Sequence, residues 1–404
     1  MPTSPVHSDD RTIYIAGAGI AGLTLALALA RFGLPIVVLE RARELPEQGA
    51  GVQIGPNAWR ILDSLGLSDD LSRAALFPEA LDIWSGSGSS PTARLVFGAA
   101  MAEAFGAPYA VLHRADLAQA LHRACKRFAN IEILFGIRSF DAEPHARGLS
   151  IVSDEITGLG RSGRAHALIG ADGVHSGTRT ALLGGPAATY SGRLAWRCLV
   201  PYPAVASVLS PDRSALFLGH DFHLVAYPLP PRGVVNLVMF RPHRLPAGAE
   251  LPENPDLPRQ ARKSETLATL FAAAKGAWTP WPLNTVSTSV WHRGPIGLVG
   301  DAAHAMLPFQ AQGAAMAIED AAILAPLIAT APTPDEAFSS YARIRRPRVA
   351  RVAGISAANG RIFHLPPPLG IARDLGMRIL GPRDHIRRLS WLYGHDALAQ
   401  PSRE

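Results

Sequence analysis

Near the N-terminus a glycine pattern directly follows a short apolar strand, and this feature constrains the fold more than any other. The segment TIYIAGAGIAGLTLALALARFGLPIVVLE predicts a strand, a tight turn, a helix, a Gly-Leu-Pro break and a second strand that ends at Glu40. Gly17, Gly19 and Gly22 supply the spacing G-x-G-x-x-G within this βαβ unit. The sequence therefore predicts an α/β fold built around a dinucleotide site.

The same residues explain how such a site would hold its ligand. Glycines allow the backbone to approach a pyrophosphate, and the amides at the start of the following helix face its negative charge. At the end of the second strand, the carboxylate of Glu40 can accept both ribose hydroxyls and would repel a 2′-phosphate. FAD and NAD both satisfy this pattern. The competing interpretation is a glycine-rich turn in an unrelated apolar helix.

A membrane or secretory interpretation of the run from Gly17 to Ala30 is disfavoured. The run stops at Arg31 and is shorter than the roughly 20 apolar residues that cross a bilayer. Asp9 and Asp10 stand where a secretory signal needs basic residues. No other run is predicted to approach membrane length, so we expect a cytoplasmic protein with no membrane partner.

The composition is that of a globular protein long enough for two or more packed modules. The chain has 404 residues, 48% of them hydrophobic and 18% charged, with a formal net charge of +6. Its basic cluster, RIRRPRVAR, has no recognisable nucleic-acid module around it, so we expect those arginines to pair with acids and predict no nucleic-acid partner. Cys125 and Cys198 lack metal or redox spacing, which predicts reduced thiols and no metal site.

Several segments together carry a family resemblance over nearly the whole chain. They are GAGIAGL with VVLER, GAGVQIGPNA, HRADL, IGADGVHSGTR, GLVGDAAHAMLPFQAQGAAMAIEDA, and YARIRRPR with NGRIFHL. In order and spacing the chain resembles the single-component FAD-dependent aromatic hydroxylases, the class A flavoprotein monooxygenases, and particularly the salicylate hydroxylase and 3-hydroxybenzoate 6-hydroxylase group.

The resemblance and the strand pattern together predict the domain organisation. We expect an α/β (α+β) protein in which a Rossmann-like FAD-binding domain is interrupted by a mainly β substrate domain and followed by C-terminal helices. The expected parts are FAD-binding segments 11–75, 107–184 and 286–330, a substrate-domain hairpin at 76–106, a β-sheet substrate domain at 185–285 and a helical region at 331–404.

The resemblance also implies which residues hold the cofactor. Asp172 would lie near the pyrophosphate, Asp301 would accept hydrogen bonds from the sugar-like flavin chain, and the start of the helix after Gln312 would stabilise a reduced flavin ring. For Asp301, a helix cap is the competing interpretation. The implied cofactor-binding residues are Gly17, Gly19, Gly22, Glu40, Arg41, Gly51, Val52, Arg114, Asp172, Gly300, Asp301, Gln312, Gly313, Ala314 and Ala315. Gly51 and Val52 resemble the family's mobile loop beside the flavin.

Two residues of the β module are candidate catalytic and substrate-binding groups. His223 and Tyr227 are four apart, so on a strand they point to the same face. A ring activated as phenolate needs a proton acceptor, and histidine is the first candidate for such a base. Family members that place a histidine and a tyrosine at this spacing favour that role over simple coverage of the sheet. Pro308 and Gln310 are further substrate candidates, although Gln310 can equally be a polar loop residue.

The implied reaction is hydroxylation of a small phenolic or hydroxybenzoate-like compound. The resemblance implies bound FAD, transient NADH or NADPH, O2, and oxygen transfer from a flavin hydroperoxide, in a monomer or homodimer. One alternative is an epoxidase or hydroxylase of a non-aromatic or polycyclic substrate. Another is a non-catalytic flavin-binding redox sensor. The sequence leaves open the substrate, the ring position and the choice of nicotinamide.

Overall fold

The computed structural model describes residues 11–45, 49–145, 148–158, 163–246, 249–379 and 381–399. The strands are β1 (Ile13–Ala16), β2 (Ile36–Glu40), β3 (Gly51–Ile54), β4 (Ala75–Leu76), β5 (Ala80–Ser85), β6 (Pro91–Val96), β7 (Ala110–His113), β8 (Ile131–Phe135), β9 (Asp141–His145), β10 (Gly148–Val152), β11 (Gly163–Ala165), β12 (Ala167–Gly170), β13 (Thr189–Pro201), β14 (Arg213–Leu218), β15 (His223–Leu229), β16 (Val234–Pro242), β17 (Thr279–Thr285), β18 (His292–Arg293) and β19 (Ile296–Leu298). The helices are α1 (Ile20–Ala30), α2 (Pro56–Ser64), α3 (Ser68–Ala74), α4 (Gly98–Phe105), α5 (Arg114–Cys125), α6 (Asp154–Gly158), α7 (Glu265–Ala273), α8 (Asp301–His304), α9 (Gly313–Thr330), α10 (Pro334–Ile362), α11 (Leu369–Ile379) and α12 (Pro382–Tyr393).

A six-stranded sheet carries the predicted dinucleotide site. Its order is β18-β19-β12-β1-β2-β8, and every neighbouring pair is parallel except β18 with β19. β1 is buried throughout, as expected for a central parallel strand covered on both faces. Strands from early, middle and late parts of the chain meet in it, which confirms the predicted α/β class with a nucleotide fold completed late.

A seven-stranded sheet, in the order β17-β13-β16-β15-β14-β5-β6, forms the second layer. One of its faces packs against α7 around Phe217, Leu237 and Leu270. Alternation along the strands places the other face, with His223 and Tyr227, toward the loop and strand that border the nucleotide site. His223 and Tyr227 are thus held by a sheet whose opposite face packs against α7.

Two details differ from the sequence-based expectations. Within 76–106 the predicted hairpin, β5 paired with β6, ends at Val96, and the rest of that segment forms α4. The expectation that no second run approaches membrane length was wrong, because α9 has 18 apolar-rich residues. That helix lies in the core, however, where it packs against α1 and α10, and 61% of it is buried.

A buried ionic network joins α9 to α10 and explains the basic cluster. Glu319 and Asp320 on α9 are fully buried. Arg345 donates to Glu319 over 2.6 Å and to Asp320 over 2.8 Å, while Arg348 donates to both oxygens of Glu319. These two arginines of the RIRRPRVAR cluster pair with acids, as the sequence analysis expected.

Candidate active site

The turn between β1 and α1 leaves room for a phosphate group. Gly17 has a φ of 104°, and a Cβ there would lie 2.6 Å from the Ala171 carbonyl oxygen. A Cβ on Gly22 would lie 1.9 Å from the Gly17 carbonyl oxygen, so this position packs helix against turn. By contrast, a Cβ on Gly19 would meet no described atom within 4 Å. The tight positions shape the turn, and Gly19 faces the open side where a pyrophosphate fits.

The carboxylate at the end of β2 completes the turn. Glu40 accepts one hydrogen bond from the Ala18 amide and another from the Ala42 amide, each over 2.8 Å. Each carboxylate oxygen retains a lone pair for a ribose hydroxyl. Arg41 follows with an exposed side chain, as a ligand contact on the adenosine side requires.

Two aspartates flank the same edge of the six-stranded sheet. Asp172 accepts two hydrogen bonds from Thr178 through Oδ2, whereas its Oδ1 is buried with no partner among the described residues. A buried acceptor without a partner is costly, and a ligand hydroxyl would satisfy it. Asp301 is exposed at the start of α8 and makes no side-chain cap; Gly300, with a φ of 59°, is the cap residue. Both carboxylates suit a ligand rich in hydroxyl groups.

The start of α9 offers free amides to a negative charge. Gln312 is its cap residue but makes no side-chain cap bond, and no acid stands in the first turn, which contains Gly313, Ala314 and Ala315. The Gln312 amide oxygen accepts instead from Asn57 over 3.0 Å. The helix dipole is therefore unopposed at this end, as stabilisation of an anionic reduced flavin ring needs.

Gly51 and Val52 lie in a strand, which corrects the loop expected for them. β3 pairs with β7, and the Gly51 amide donates to Asn236 over 2.7 Å. A Cβ on Gly51 would lie 2.3 Å from the Tyr227 hydroxyl, so glycine here admits the tyrosine ring. Arg114 begins α5 beside this strand, with an exposed side chain and its amide bonded to Ala50.

His223 and Tyr227 share a face of β15, as the sequence spacing predicted, and their exposed fractions are 1% and 2%. Phe240 stacks on the His223 ring at 4.6 Å, and Phe309 meets its edge at 4.9 Å. Burial raises the pKa of Tyr227, and the Arg197 guanidinium acts in the opposite direction. Burial first, then the neighbouring His364 and Arg193, hold the pKa of His223 well below its usual value.

Three residues that sequence reasoning missed converge on this face. Arg197 on β13 is half-buried, lies over the Trp281 ring at 5.3 Å, and pairs with no described carboxylate. His364, which follows α10, contacts His223, and Arg193 on β13 contacts His364. His364 lies in the segment NGRIFHL, which the sequence analysis identified only by its family resemblance. No spacing in that segment predicted a contact with β15.

The loop between α8 and α9 carries the remaining substrate candidates. Gln310 accepts a hydrogen bond from Asn359 of α10, and the carbonyl of Pro308 accepts from Ala311 over 2.9 Å. Both side chains are half-buried. The hydrogen bond from Asn359 joins the Gln310 side chain to α10.

The donor and acceptor set as a whole fits FAD. A glycine turn at a helix start, a ribose-binding carboxylate and two further aspartates suit its phosphates and hydroxyls, and the uncapped start of α9 suits its ring. Residues 10–356 match the family described as FAD binding domain.

Characterised relatives match nearly end to end. The chain is 34% identical to 3-amino-4-hydroxybenzoate 2-monooxygenase PtnB3 of Streptomyces platensis, over 97% of this chain and 98% of that protein. It is 32% identical to 3-hydroxybenzoate 6-hydroxylase 1 of Aquipseudomonas alcaligenes, over 96% and 98%. Klebsiella pneumoniae HpxO complexed with FAD and uric acid shares the fold, with a TM-score of 0.82, 24% identity and coverage of 95% and 96%.

Proposed function

This chain belongs to the FAD-binding-domain family and is an FAD-dependent monooxygenase that hydroxylates an aromatic compound; we propose that its substrate is a single-ring phenol that carries a carboxylate, as hydroxybenzoate does. One observation carries this proposal. The half-buried Arg197, which has no described acid partner, lies beside Tyr227 on the sheet face that also presents His223.

The charge on Arg197 favours an anionic substrate. A cation withdrawn from water without a counter-ion is unfavourable, and a substrate carboxylate would supply that counter-ion through a paired hydrogen bond. Between His223 and Tyr227 the same face presents the cross-strand pair Val225 and Val238, which suits an apolar ring. We infer that the ring lies on these valines, with its carboxylate at Arg197 and its hydroxyl at His223.

The residues of this chain orient the ring and exclude water. FAD, when bound, takes electrons from NAD(P)H and, with O2, supplies the oxygen atom that enters the ring. Phe240 and Phe309 surround His223 with apolar surface, which strengthens any hydrogen bond made there. We infer that Tyr227 holds the substrate through its hydroxyl.

A substrate panel tests this assignment. We expect 3-hydroxybenzoate, salicylate or 3-amino-4-hydroxybenzoate to accelerate NAD(P)H oxidation with coupled product formation, and the matching benzamides to show a KM raised at least tenfold. Arg197→Gln should erase that difference, while Arg197→Lys should keep part of it because the charge is retained. Equal KM values for acids and amides would contradict the carboxylate anchor. An epoxide product, or flavin binding without turnover, would favour one of the two alternatives.

We further propose a cytoplasmic monomer or homodimer in which segments 11–75, 107–184 and 286–330 bind FAD and segment 185–285 binds substrate. The relatives matched over nearly their full length support this organisation. Sedimentation of the purified flavoprotein measures the oligomeric state.

A further inference from the structure

A chain of nitrogen atoms leads from His223 away from the sheet. His223 Nδ1 lies 2.9 Å from His364 Nε2, and His364 Nδ1 lies 3.0 Å from Arg193 Nη1. His223 Nε2 has no hydrogen-bond partner among the described residues. The three residues come from β15, from the segment after α10 and from β13.

The chemistry of arginine fixes the direction of every bond in this chain. A guanidinium only donates, so His364 Nδ1 must accept the bond from Arg193. A neutral His364 then carries its proton on Nε2 and donates it to Nδ1 of His223. His223 Nδ1 is therefore without a proton, and the ring's proton lies on Nε2.

Both rings are neutral in this environment. Burial, followed by the Arg193 charge, lowers the pKa of His364 to about 4. Phe309 also lies under the Arg193 guanidinium, at 5.4 Å, which holds the arginine in place.

We propose that Arg193 and His364 act as positioning residues that hold His223 in the Nε2-protonated tautomer, so that His223 donates a hydrogen bond to the phenolate oxygen of the substrate. This inference rests on the proposed function, because it needs a phenol at His223. It changes the role expected from the sequence: His223 stabilises the phenolate and does not take its proton. The phenol O–H bond breaks, its proton passes to bulk water, and the electron pair stays on the oxygen that accepts the Nε2 hydrogen bond.

The tautomer is measured first, without substrate. In the holoenzyme labelled with ¹⁵N-histidine, with His223→Gln identifying the resonances, we expect His223 to show a protonated Nε2 and an unprotonated Nδ1 near pH 7.5. A protonated Nδ1, or an average of both tautomers, would overturn the proposal whatever the substrate proves to be.

Proton release on binding is measured next, with 3-hydroxybenzoate as the probe and calorimetry in buffers of different ionisation enthalpy. If His223 donates, about one proton per bound molecule reaches the buffer; if it acts as the base, the proton stays in the protein and release is near zero. Binding without proton release would overturn the proposal. A lack of binding would instead count against the proposed substrate class, and the ¹⁵N result would stand.

Two matched variants separate donor from base. In His364→Gln the amide N–H still donates to His223 Nδ1, so proton release and tautomer should stay as in the parent. In His364→Glu the carboxylate pairs with Arg193 and can only accept a hydrogen bond from His223. His223 should therefore change to the Nδ1-protonated form, and proton release on binding should fall severalfold. Flavin absorbance confirms that each variant is folded. Equal proton release in the two variants would contradict the tautomer control.

Discussion

Two buried histidines, His304 and His223, lie beside the loop 305–312. One is bonded to a carboxylate and, within the part of the chain that the structure describes, the other is not. His304 of α8 donates to Asp320 over 2.6 Å, and Asp320 also accepts from Arg345 and from the Gly300 amide. On the other side, His223 contacts His364 and Arg193, with no carboxylate bonded to that chain among the described residues. The carboxylates of the first network are bonded within the protein, whereas the second network ends in an N–H donor, His223 Nε2, that has no acceptor among the described residues.

This difference separates a structural network from a binding one. Buried carboxylates and guanidiniums that satisfy each other join α8, α9 and α10. A network of donors with no anion is completed by an anionic ligand, because an oxyanion there gains hydrogen bonds that water no longer supplies. We therefore expect changes in the first network to alter stability and changes in the second to alter coupling.

Arg345→Met should show the largest effect. It leaves Glu319 and Asp320 without their shared cation, and loss of one partner of a buried ion pair costs about 3–5 kcal/mol. Denaturant unfolding of the holoenzyme measures this loss. Arg343→Met on the same helix is the control, because its side chain is exposed and should change the free energy of unfolding by no more than about 0.5 kcal/mol. Similar effects of both variants would remove the distinction between the networks.

His223→Ala should abolish most of the coupling and leave FAD binding nearly intact, while the loss of a fully buried ring also lowers stability. Loss of a donor to an oxyanion typically costs about 10²–10³-fold in rate, so NAD(P)H should be consumed with little product and hydrogen peroxide released. His223→Gln should recover part of the coupling because its amide also donates, and a base could not be replaced in this way. Tyr227→Phe should lose mainly substrate affinity. The measured quantity is the product formed per NAD(P)H consumed. Parental coupling in His223→Ala would show that His223 and Tyr227 only cover the sheet surface.

The part of the site that lies close together in sequence was predictable. Glycine spacing, a strand before it and Glu40 after it follow from local rules, and so does the shared face of His223 and Tyr227. The partners of those residues were not. His364 is 141 positions from His223 and 171 from Arg193, and only the tertiary fold sets the segment after α10 beside β13 and β15.

The composition of the basic cluster likewise predicted ion pairs but did not identify the acidic residues that form them. The arginines after α9 were expected to pair with acids, yet the sequence did not show that the acids are Glu319 and Asp320, buried one helix away. Gly51 illustrates the same limit: local rules predict close approach at a glycine, but the ring that approaches it belongs to Tyr227.

The neutral histidine chain should weaken the protein in acid, and His364→Gln should remove part of that effect. The pKa of His364 is about 4 in the folded protein and about 6.5 when unfolded. Above pH 6.5 both states are neutral and stability is full. As pH falls from 6.5 toward 4, only the unfolded chain gains the proton, and stability drops by up to about 1.4 kcal/mol per pH unit. The charged and titratable groups that act on His364 are Arg193, Asp221, Arg373 and His220.

Unfolding free energies at pH 7.5 and pH 5 test this expectation. The parent and His364→Gln should differ little at the higher pH, and the variant should lose less on acidification. An equal loss in both proteins would show that the acid sensitivity arises elsewhere.

Ala311→Gly, in the loop that joins the two networks, should have the smallest effect and the opposite sign. Ala311 has a φ of 51°, a left-handed conformation that costs an alanine about 1–2 kcal/mol and a glycine almost nothing. The greater conformational freedom of glycine in the unfolded chain offsets about 0.4–1 kcal/mol of this. We therefore expect the free energy of unfolding to rise by about 0.5–1 kcal/mol. Ala322→Gly, inside α9, is the matched control and should destabilise by about 1 kcal/mol. Phe309 in the same loop packs against His223, so a looser loop should lower the coupling while stability rises. Higher stability with unchanged coupling would show that the strained turn serves only to connect α8 with α9.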